Sequence, residues 1–179
     1  MSRLTIRAAE ELQAQTREAL EPVIAAGRIA DVYLQFANSE SALRAYLHME
    51  SSIREGSLSN MEAEAIKLWV SQQTGCEFCL SVHSFKAKQA GLTAEQQVAI
   101  RRGVTSGNLR IDALLKVARV VFQQPGSIDQ SLFEEARGAG LNDETLVDLT
   151  MAISTIFFTN ITNHINDSQS QLPAAPALD

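Results

Sequence analysis

Glycine residues divide this chain into segments of helical length, and that pattern constrains its fold more than any other feature. Most segments span ~10 to 20 residues, and their apolar positions recur three and four apart, as an amphipathic helix requires. Leu114, Val117 and Val121 illustrate this spacing. Alternation typical of a strand is absent, so the sequence predicts an all-α protein. The breaks fall at Gly27, Gly56, Gly91, Gly103, Pro125-Gly126 and Gly140.

Length and composition predict one domain followed by a tail. A chain of 179 residues that is 45% hydrophobic can build one sizeable core, and we assign it to residues 1–166. Residues 167–179 are rich in Ser, Gln, Pro and Ala, and they are expected to be flexible unless they dock. A weak echo at an offset of 81 residues pairs Ile66 with Val147 and His83 with His164. Either a duplicated helical hairpin or plain helical periodicity explains it.

The charge of the chain excludes some classes of partner. A formal net charge of -6 and a pI near 5.1 argue against nucleic acid or an anionic membrane. Charged residues near the N-terminus occupy the place of a signal peptide's apolar core, so we expect a cytoplasmic protein. The most apolar stretch, residues 146–161, is shorter than the ~20 residues that span a bilayer. It is predicted to be a helix buried on most sides.

The two cysteines are the strongest sign of chemistry. Cys76 and Cys79 are the only cysteines in the chain, with His83 four residues after the second and Glu64 twelve before the first. In a reducing compartment such a pair is typical of catalysis or redox sensing. Thr74 with Glu77 fits a capping box, which predicts an N-cap at Thr74 and places both sulfurs and the imidazole on one helix face.

The spacing does not decide which cysteine is the nucleophile. The field of a helix N-terminus favours the thiolate of Cys76, whereas His83 is better placed to take a proton from Cys79. Glu64 belongs to a preceding helix that starts with the capping box of Ser59 and Glu62. Its carboxylate is a candidate to orient His83, if the two helices meet.

Two other interpretations use the same residues. The cysteines are small enough to be buried core residues, because free cysteine is among the most buried residue types. Cys76, Cys79, His83 and Glu64 together also have the ligand chemistry of a zinc site, although no second cysteine or histidine pair supports it.

The order Glu64, Cys76, Cys79, His83 resembles the active-site motif of the alkylhydroperoxidase D (AhpD-like) family, which is grouped with the carboxymuconolactone decarboxylases. Gly75 before the motif and Gly91-Leu92-Thr93 after it resemble that family too, so the similar region covers about residues 57 to 103. One residue departs from the pattern. The best-studied members carry a histidine immediately before the second cysteine, where this chain has Phe78.

The resemblance implies a thiol-dependent peroxidase with an AhpD-like helical fold. Cys79 would attack hydrogen peroxide or an organic hydroperoxide, Cys76 would resolve the sulfenic acid to a disulfide, and Glu64 with His83 would relay the proton. No metal, flavin or haem is expected, because the Cys76-Cys79 disulfide is itself the redox centre. The family also implies a dithiol or lipoyl-bearing reductant and a homo-oligomer, either a trimer or a hexamer.

Two alternative functions stay open from the sequence. A thiol-disulfide sensor or interaction protein would use the same cysteines with slow turnover and a change of shape on oxidation. A decarboxylase of the carboxymuconolactone type would share the fold, but its chemistry does not use paired cysteines.

Overall fold

Helices make up the regular structure of this protein. The computed structural model describes residues 2–24, 27–124, 126 and 128–178, and within these ranges it contains no strand, which confirms the all-α class. Met1 and Asp179, at the ends of the predicted domain and tail, and Pro125, in a predicted break, lie outside the described residues. In chain order the described α-helices are α1 (Ala14–Leu20), α2 (Asp31–Phe36), α3 (Glu40–Glu55), α4 (Asn60–Thr74), α5 (Glu77–Gln89), α6 (Ala94–Arg102), α7 (Leu109–Gln123), α8 (Gln130–Gly138) and α9 (Asp143–Asn166).

Helix α4 lies at the centre of the main core. It packs against α5, α6, α7 and α9, and residues 65–71 are all buried. A helix surrounded on all sides must be apolar all round, and Ile66, Leu68, Trp69 and Val70 meet that requirement. Each such side chain contributes roughly 1.5–3 kcal/mol of burial free energy. Because α4 is central, the charged side chains it carries are brought into the interior.

The N-terminal helices form a second, smaller apolar cluster beside the first. Leu20 of α1, Phe36 of α2 and Leu43 of α3 are buried in it. The ring of Phe36 also meets Phe158 of α9 edge-on, with centroids 5.8 Å apart. This contact places the aromatic residues of α2 and α3 next to the C-terminal half of α9.

Side-chain caps fix several helix starts. Ser59 with Glu62 forms a complete capping box, which confirms the predicted one, and Thr93 with Gln96 forms another. Asn142 caps α9 by accepting from the backbone N–H of Thr145 at 2.8 Å. These caps satisfy orphan N–H groups and fix where α4, α6 and α9 begin.

The predicted N-cap at Thr74 is wrong. Thr74 is the last residue of α4, and its hydroxyl bonds back to the carbonyls of Val70 and Ser71. Gly75 ends the helix because it adopts the left-handed conformation (φ 67°), which a glycine enters without a steric penalty. Cys76, not Thr74, is therefore the N-cap of α5.

Helix α9 is longer and less covered than the sequence predicted. It spans 24 residues, and by length and mean hydropathy of 1.3 it is the one described helix able to cross a membrane. Its inner face packs in the core, but only 44% of its most apolar 18-residue window is buried, so burial on most sides is wrong. The outer face leaves several apolar side chains exposed, namely Val147, Phe157, Phe158, Ile161 and Ile165.

The predicted hairpin repeat is not reproduced at its offset of 81 residues. Gly75 separates α4 from α5 in the first segment, whereas the matching residue Ile156 lies inside the continuous helix α9. The similar spacing of apolar residues therefore reflects helical periodicity rather than two copies of a hairpin.

The C-terminal segment lies against the helices. Asp167 ends α9 with a positive φ of 57°, and the residues after it have no regular secondary structure. Ala175 packs against the main core, and the guanidinium of Arg101 donates to the carbonyl of Pro176. Residues 168–174 are thereby held over the start of α5.

Candidate active site

The turn at Gly75 places the two cysteines at the start of α5. The backbone N–H of Cys76 donates to the carbonyl of Ser71 at 3.1 Å, which reverses the chain direction tightly after α4. As N-cap, Cys76 presents its sulfur to the backbone N–H of Cys79 at 3.3 Å. The sulfur thus takes the role that a serine or aspartate oxygen has in most caps.

The cysteines are joined in a disulfide. Their Cα atoms lie 5.2 Å apart, within the range that a disulfide spans, and the residues are 3% and 2% exposed. Of the described residues, none is a free cysteine. The structure therefore shows the oxidised form of the Cys76 and Cys79 pair.

The carboxylate of Glu64 holds the imidazole of His83. Glu64 Oε2 lies 2.7 Å from His83 Nδ1, and both residues are largely buried. Burial raises the pKa of Glu64, but His83, Lys67 and Lys86 outweigh it and lower the pKa to about 2. An ionised carboxylate can only accept, so Nδ1 carries the proton and Nε2 is left as a base.

His83 stays neutral at neutral pH. Burial lowers its pKa below the ordinary 6.5, and the opposing influence of Glu64 is smaller. A neutral imidazole with a fixed tautomer is suited to receive a proton at Nε2. The pair therefore has the form of an oriented general base.

Lys67 supports this pair from within the core. It is 3% exposed, and its ammonium bonds both carboxylate oxygens of Glu50 at 2.8 and 2.9 Å. It also lies 4.0 Å from Glu64 Oε1. A buried ammonium needs such partners, and Lys67 has a carboxylate on each side, Glu50 within hydrogen-bond distance and Glu64 slightly further away.

The two cysteines open onto different cavities. Cys79 and His83 line a cavity of about 460 Å³ with aromatic walls, between α2, α3, α5 and α9. Cys76 lines another of about 430 Å³, and the C-terminal segment borders both cavities, with Ser170 in each lining. Phe78 borders both cavities. The disulfide thus connects two chemically different spaces.

Asn163 is the site residue that sequence reasoning missed. It is 4% exposed on α9, and its Nδ2 lies 3.5 Å from the sulfur of Cys79. Its Oδ1 is buried with no partner among the described residues. Only the packing of α9 on α5 joins residues 84 positions apart, so no local pattern could have identified Asn163.

The remaining two histidines and the tryptophan lie outside the reactive pair. His164 Nε2 is 2.9 Å from the carbonyl of Thr74 and serves as a structural contact, and His48 is exposed on α3. Trp69 packs edge-on against Phe122 in the core instead of lining the cavity. For the zinc interpretation, no three His, Cys, Asp or Glu side chains of the described residues are grouped closely enough to hold a metal ion.

Comparisons with known proteins identify a family region and a fold. Residues 40–120 match the model of the carboxymuconolactone decarboxylase family. Among curated proteins, none matches the chain.

Three solved structures have a similar fold. A peroxidase-related protein with an alkylhydroperoxidase AhpD core, from Ralstonia eutropha JMP134, is 20% identical with a TM-score of 0.83, and the match covers 95% of this chain and 92% of that one. A peroxidase-related protein from Silicibacter sp. TM1040 is 19% identical with a TM-score of 0.74, covering 94% and 91%. The debrominase Bmp8, solved as a cysteine-to-alanine variant with 2,3,4-tribromopyrrole, is 22% identical with a TM-score of 0.72, covering 98% and 96%. At these identities the likeness establishes the fold alone.

Proposed function

This chain has the AhpD-like fold and carries a carboxymuconolactone decarboxylase family region, and from that premise we propose that it is a thiol-dependent peroxidase. One observation carries the proposal. The redox-active sulfur of Cys79 and the oriented base His83 line the same cavity, while Glu64 holds the imidazole from behind. A thiolate, a base and a space for substrate are the parts that peroxide reduction requires.

The proposed reaction starts from the reduced pair. His83 Nε2 takes the proton of the Cys79 thiol, and the thiolate attacks one peroxide oxygen. An S–O bond forms as the O–O bond breaks, and the leaving alkoxide receives the proton from His83 to become an alcohol. Cys79 is then a sulfenic acid.

Resolution closes the disulfide that the structure contains. The sulfur of Cys76 attacks the sulfur of Cys79, an S–S bond forms, and the hydroxide of the sulfenic acid leaves as water with the thiol proton. An external dithiol then reduces the disulfide and becomes a disulfide itself. The net reaction converts a hydroperoxide and a dithiol into an alcohol, water and an oxidised dithiol.

The two cavities support this order of the cysteines. Cys79 shares its cavity with His83, whereas His83 does not line the cavity of Cys76. We therefore assign peroxide attack to Cys79 and give Cys76 the resolving role. The reductant, a dithiol or a lipoyl group, would reach the disulfide from the Cys76 side.

The setting of the enzyme is also part of the proposal. We propose a cytoplasmic homo-oligomer, a trimer or hexamer, in which the exposed apolar face of α9 is covered by another copy. The cysteine pair would be the redox centre without a metal, flavin or haem. Nucleic acids and membranes are not among the proposed partners.

Peroxidase assays on matched variants test the proposal. Consumption of cumene hydroperoxide and hydrogen peroxide with a dithiol reductant would be followed in the wild type and in Cys79→Ser, Cys76→Ser and His83→Ala. Both cysteine variants should lose catalytic turnover, and His83→Ala should slow it by about 10²- to 10⁴-fold. His48→Ala, which alters an exposed histidine of α3 that lines neither cavity, should leave the rate unchanged.

The same variants separate the alternatives. A wild type that does not turn over, although its thiols oxidise reversibly, would replace the peroxidase with a redox sensor. Decarboxylase activity that survives loss of both cysteines would instead favour the carboxymuconolactone-type enzyme.

A further inference from the structure

The cavity at Cys79 is much larger than hydrogen peroxide requires. Its volume is about 460 Å³, while a water-sized molecule occupies about 30 Å³. Cavities of this size bind organic molecules of ten or more heavy atoms and bury most of their surface. An organic hydroperoxide therefore fits the space, and hydrogen peroxide would leave most of it unfilled.

Aromatic side chains form the walls of this cavity. Tyr33 and Phe36 of α2, Tyr46 of α3 and Phe78 of α5 line it. Burial raises the pKa of both tyrosines, so their rings stay neutral at neutral pH. Phe78, which stands where related enzymes carry a histidine, makes this wall apolar. The walls favour a flat or bulky hydrocarbon group.

The charges at the cavity are not balanced. Arg28 and Asp31 both line it, but they pair with each other at 2.8 Å and their charges cancel. His83 is neutral, as described above. Lys86 lines the cavity and forms no ion pair with any described residue. Lys86 therefore gives the lining of this cavity a net positive charge, which the nearby carboxylate of Glu64 offsets in part.

Lys86 lies close to the Glu64 and His83 pair. It lies one turn beyond His83 on α5, and its ammonium contributes to lowering the pKa of Glu64. Its end is exposed, so an anion placed there keeps part of its hydration and avoids the full cost of burial.

We propose that the preferred substrate class is an organic hydroperoxide with an apolar, aromatic-sized body and a carboxylate, in which Lys86 binds the carboxylate and the aromatic walls hold the body. This inference rests on the peroxidase proposal and narrows its substrate. Lys86 acts as a specificity-determining residue. The carboxylate end binds Lys86 and the apolar body packs against the aromatic walls. This orientation directs the peroxide group to Cys79.

A pair of substrates that differ only in charge tests the inference. The probes are cumene hydroperoxide and its para-carboxylate, compared by kcat/KM at low ionic strength. The wild type should prefer the carboxylate by about fivefold, which corresponds to the upper end of the interaction free energies of partly exposed ion pairs. Added salt should weaken this preference. Lys86→Gln should abolish the preference, and Lys86→Arg should retain it.

Lys88 provides the matched control. It lies two residues further on the same helix, is exposed, and lines none of the cavities described here. Lys88→Gln should keep the wild-type ratio of the two substrates. An unchanged ratio in Lys86→Gln, or an equal loss in Lys88→Gln, would overturn the role of Lys86.

A binding measurement separates this inference from the peroxidase proposal. Calorimetric titration with 4-isopropylbenzoate and with neutral 4-isopropylbenzyl alcohol requires no turnover. Tighter binding of the carboxylate, lost in Lys86→Gln, supports the anion preference even if no hydroperoxide is reduced. Turnover of both hydroperoxides with no preference, together with equal binding of the two ligands, would refute the proposed substrate class. It would leave the peroxidase proposal unaffected.

Discussion

Replacing Asn163 should raise the pKa of the Cys79 thiol in the reduced protein. Nδ2 of Asn163 lies 3.5 Å from the sulfur and is buried with it, so after reduction it can donate to the thiolate. A hydrogen bond to a charged group contributes about 1.5–3 kcal/mol, and each pKa unit corresponds to about 1.4 kcal/mol. Asn163→Leu should therefore raise the pKa by about one to two units.

The measurement requires a single titrating cysteine. Cys76→Ser provides that background, and the ultraviolet absorbance of the thiolate followed against pH reports the pKa of Cys79. Leucine matches asparagine in size and removes the unpartnered Oδ1, so the folded state should tolerate the change. The second-order rate of thiol alkylation below the pKa should fall in parallel with the thiolate fraction.

Asn160 is the control for this measurement. It lies on the same buried face of α9, but its amide donates to Thr74 instead of a cysteine. Asn160→Leu should lower the melting temperature and leave the pKa of Cys79 unchanged. An unaltered pKa in a folded Asn163→Leu, or the same shift in both variants, would refute a direct amide contribution to the thiolate.

Three further changes test other parts of the structure. Glu64 has a pKa of about 2 in the folded protein against an ordinary 4.5, so its stabilisation is complete above pH 4.5 and is lost as the pH falls toward 2. Glu64→Gln should lower the free energy of unfolding near neutral pH by about 1.5–3 kcal/mol, the contribution of a hydrogen bond to a charged group, and denaturant titrations should show the difference shrinking in acid. Gly75→Ala should cost about 1–2 kcal/mol because φ is +67°, although nothing crowds the new Cβ. Gly138→Ala, at the last residue of α8 and without a positive φ, should stabilise the protein instead. Deleting residues 169–179 should open the cavities at both cysteines and speed reduction of the disulfide by a bulky dithiol, measured by stopped-flow.

Local signals in the sequence were enough to predict the helices and several of their ends. The capping boxes at Ser59 and Thr93 depend on side chains three residues apart, so the sequence alone specifies them. Thr74 with Glu77 has the same spacing, yet the box does not form. Gly75 lies between these two residues and adopts the left-handed conformation. Its N–H donates to the last carbonyls of α4, so one helix ends at the position where the box would have started another.

The contacts of the candidate site could likewise be predicted only where they are local in sequence. Cys79 and His83 lie four residues apart on α5, and they line the same cavity as their spacing predicted. Cys76 was predicted to share that face, but it is the N-cap of the helix and lines the other cavity. The contacts of Asn163, Glu50 and the C-terminal segment depend on packing between elements far apart in the chain. Such contacts leave no periodic trace in a single sequence, because many residues would satisfy helix propensity at those positions equally well.

The surroundings of the two sulfurs give them different tasks under the proposed mechanism. Cys76 receives a backbone N–H at the helix start and lines a cavity from which His83 is absent, whereas Cys79 receives the amide of Asn163 and lines the aromatic cavity. Both thiolates would thus accept a hydrogen bond, so stabilisation of the thiolate does not decide which cysteine attacks the peroxide. The position of the base decides it, because His83 lines the cavity of Cys79 and not that of Cys76.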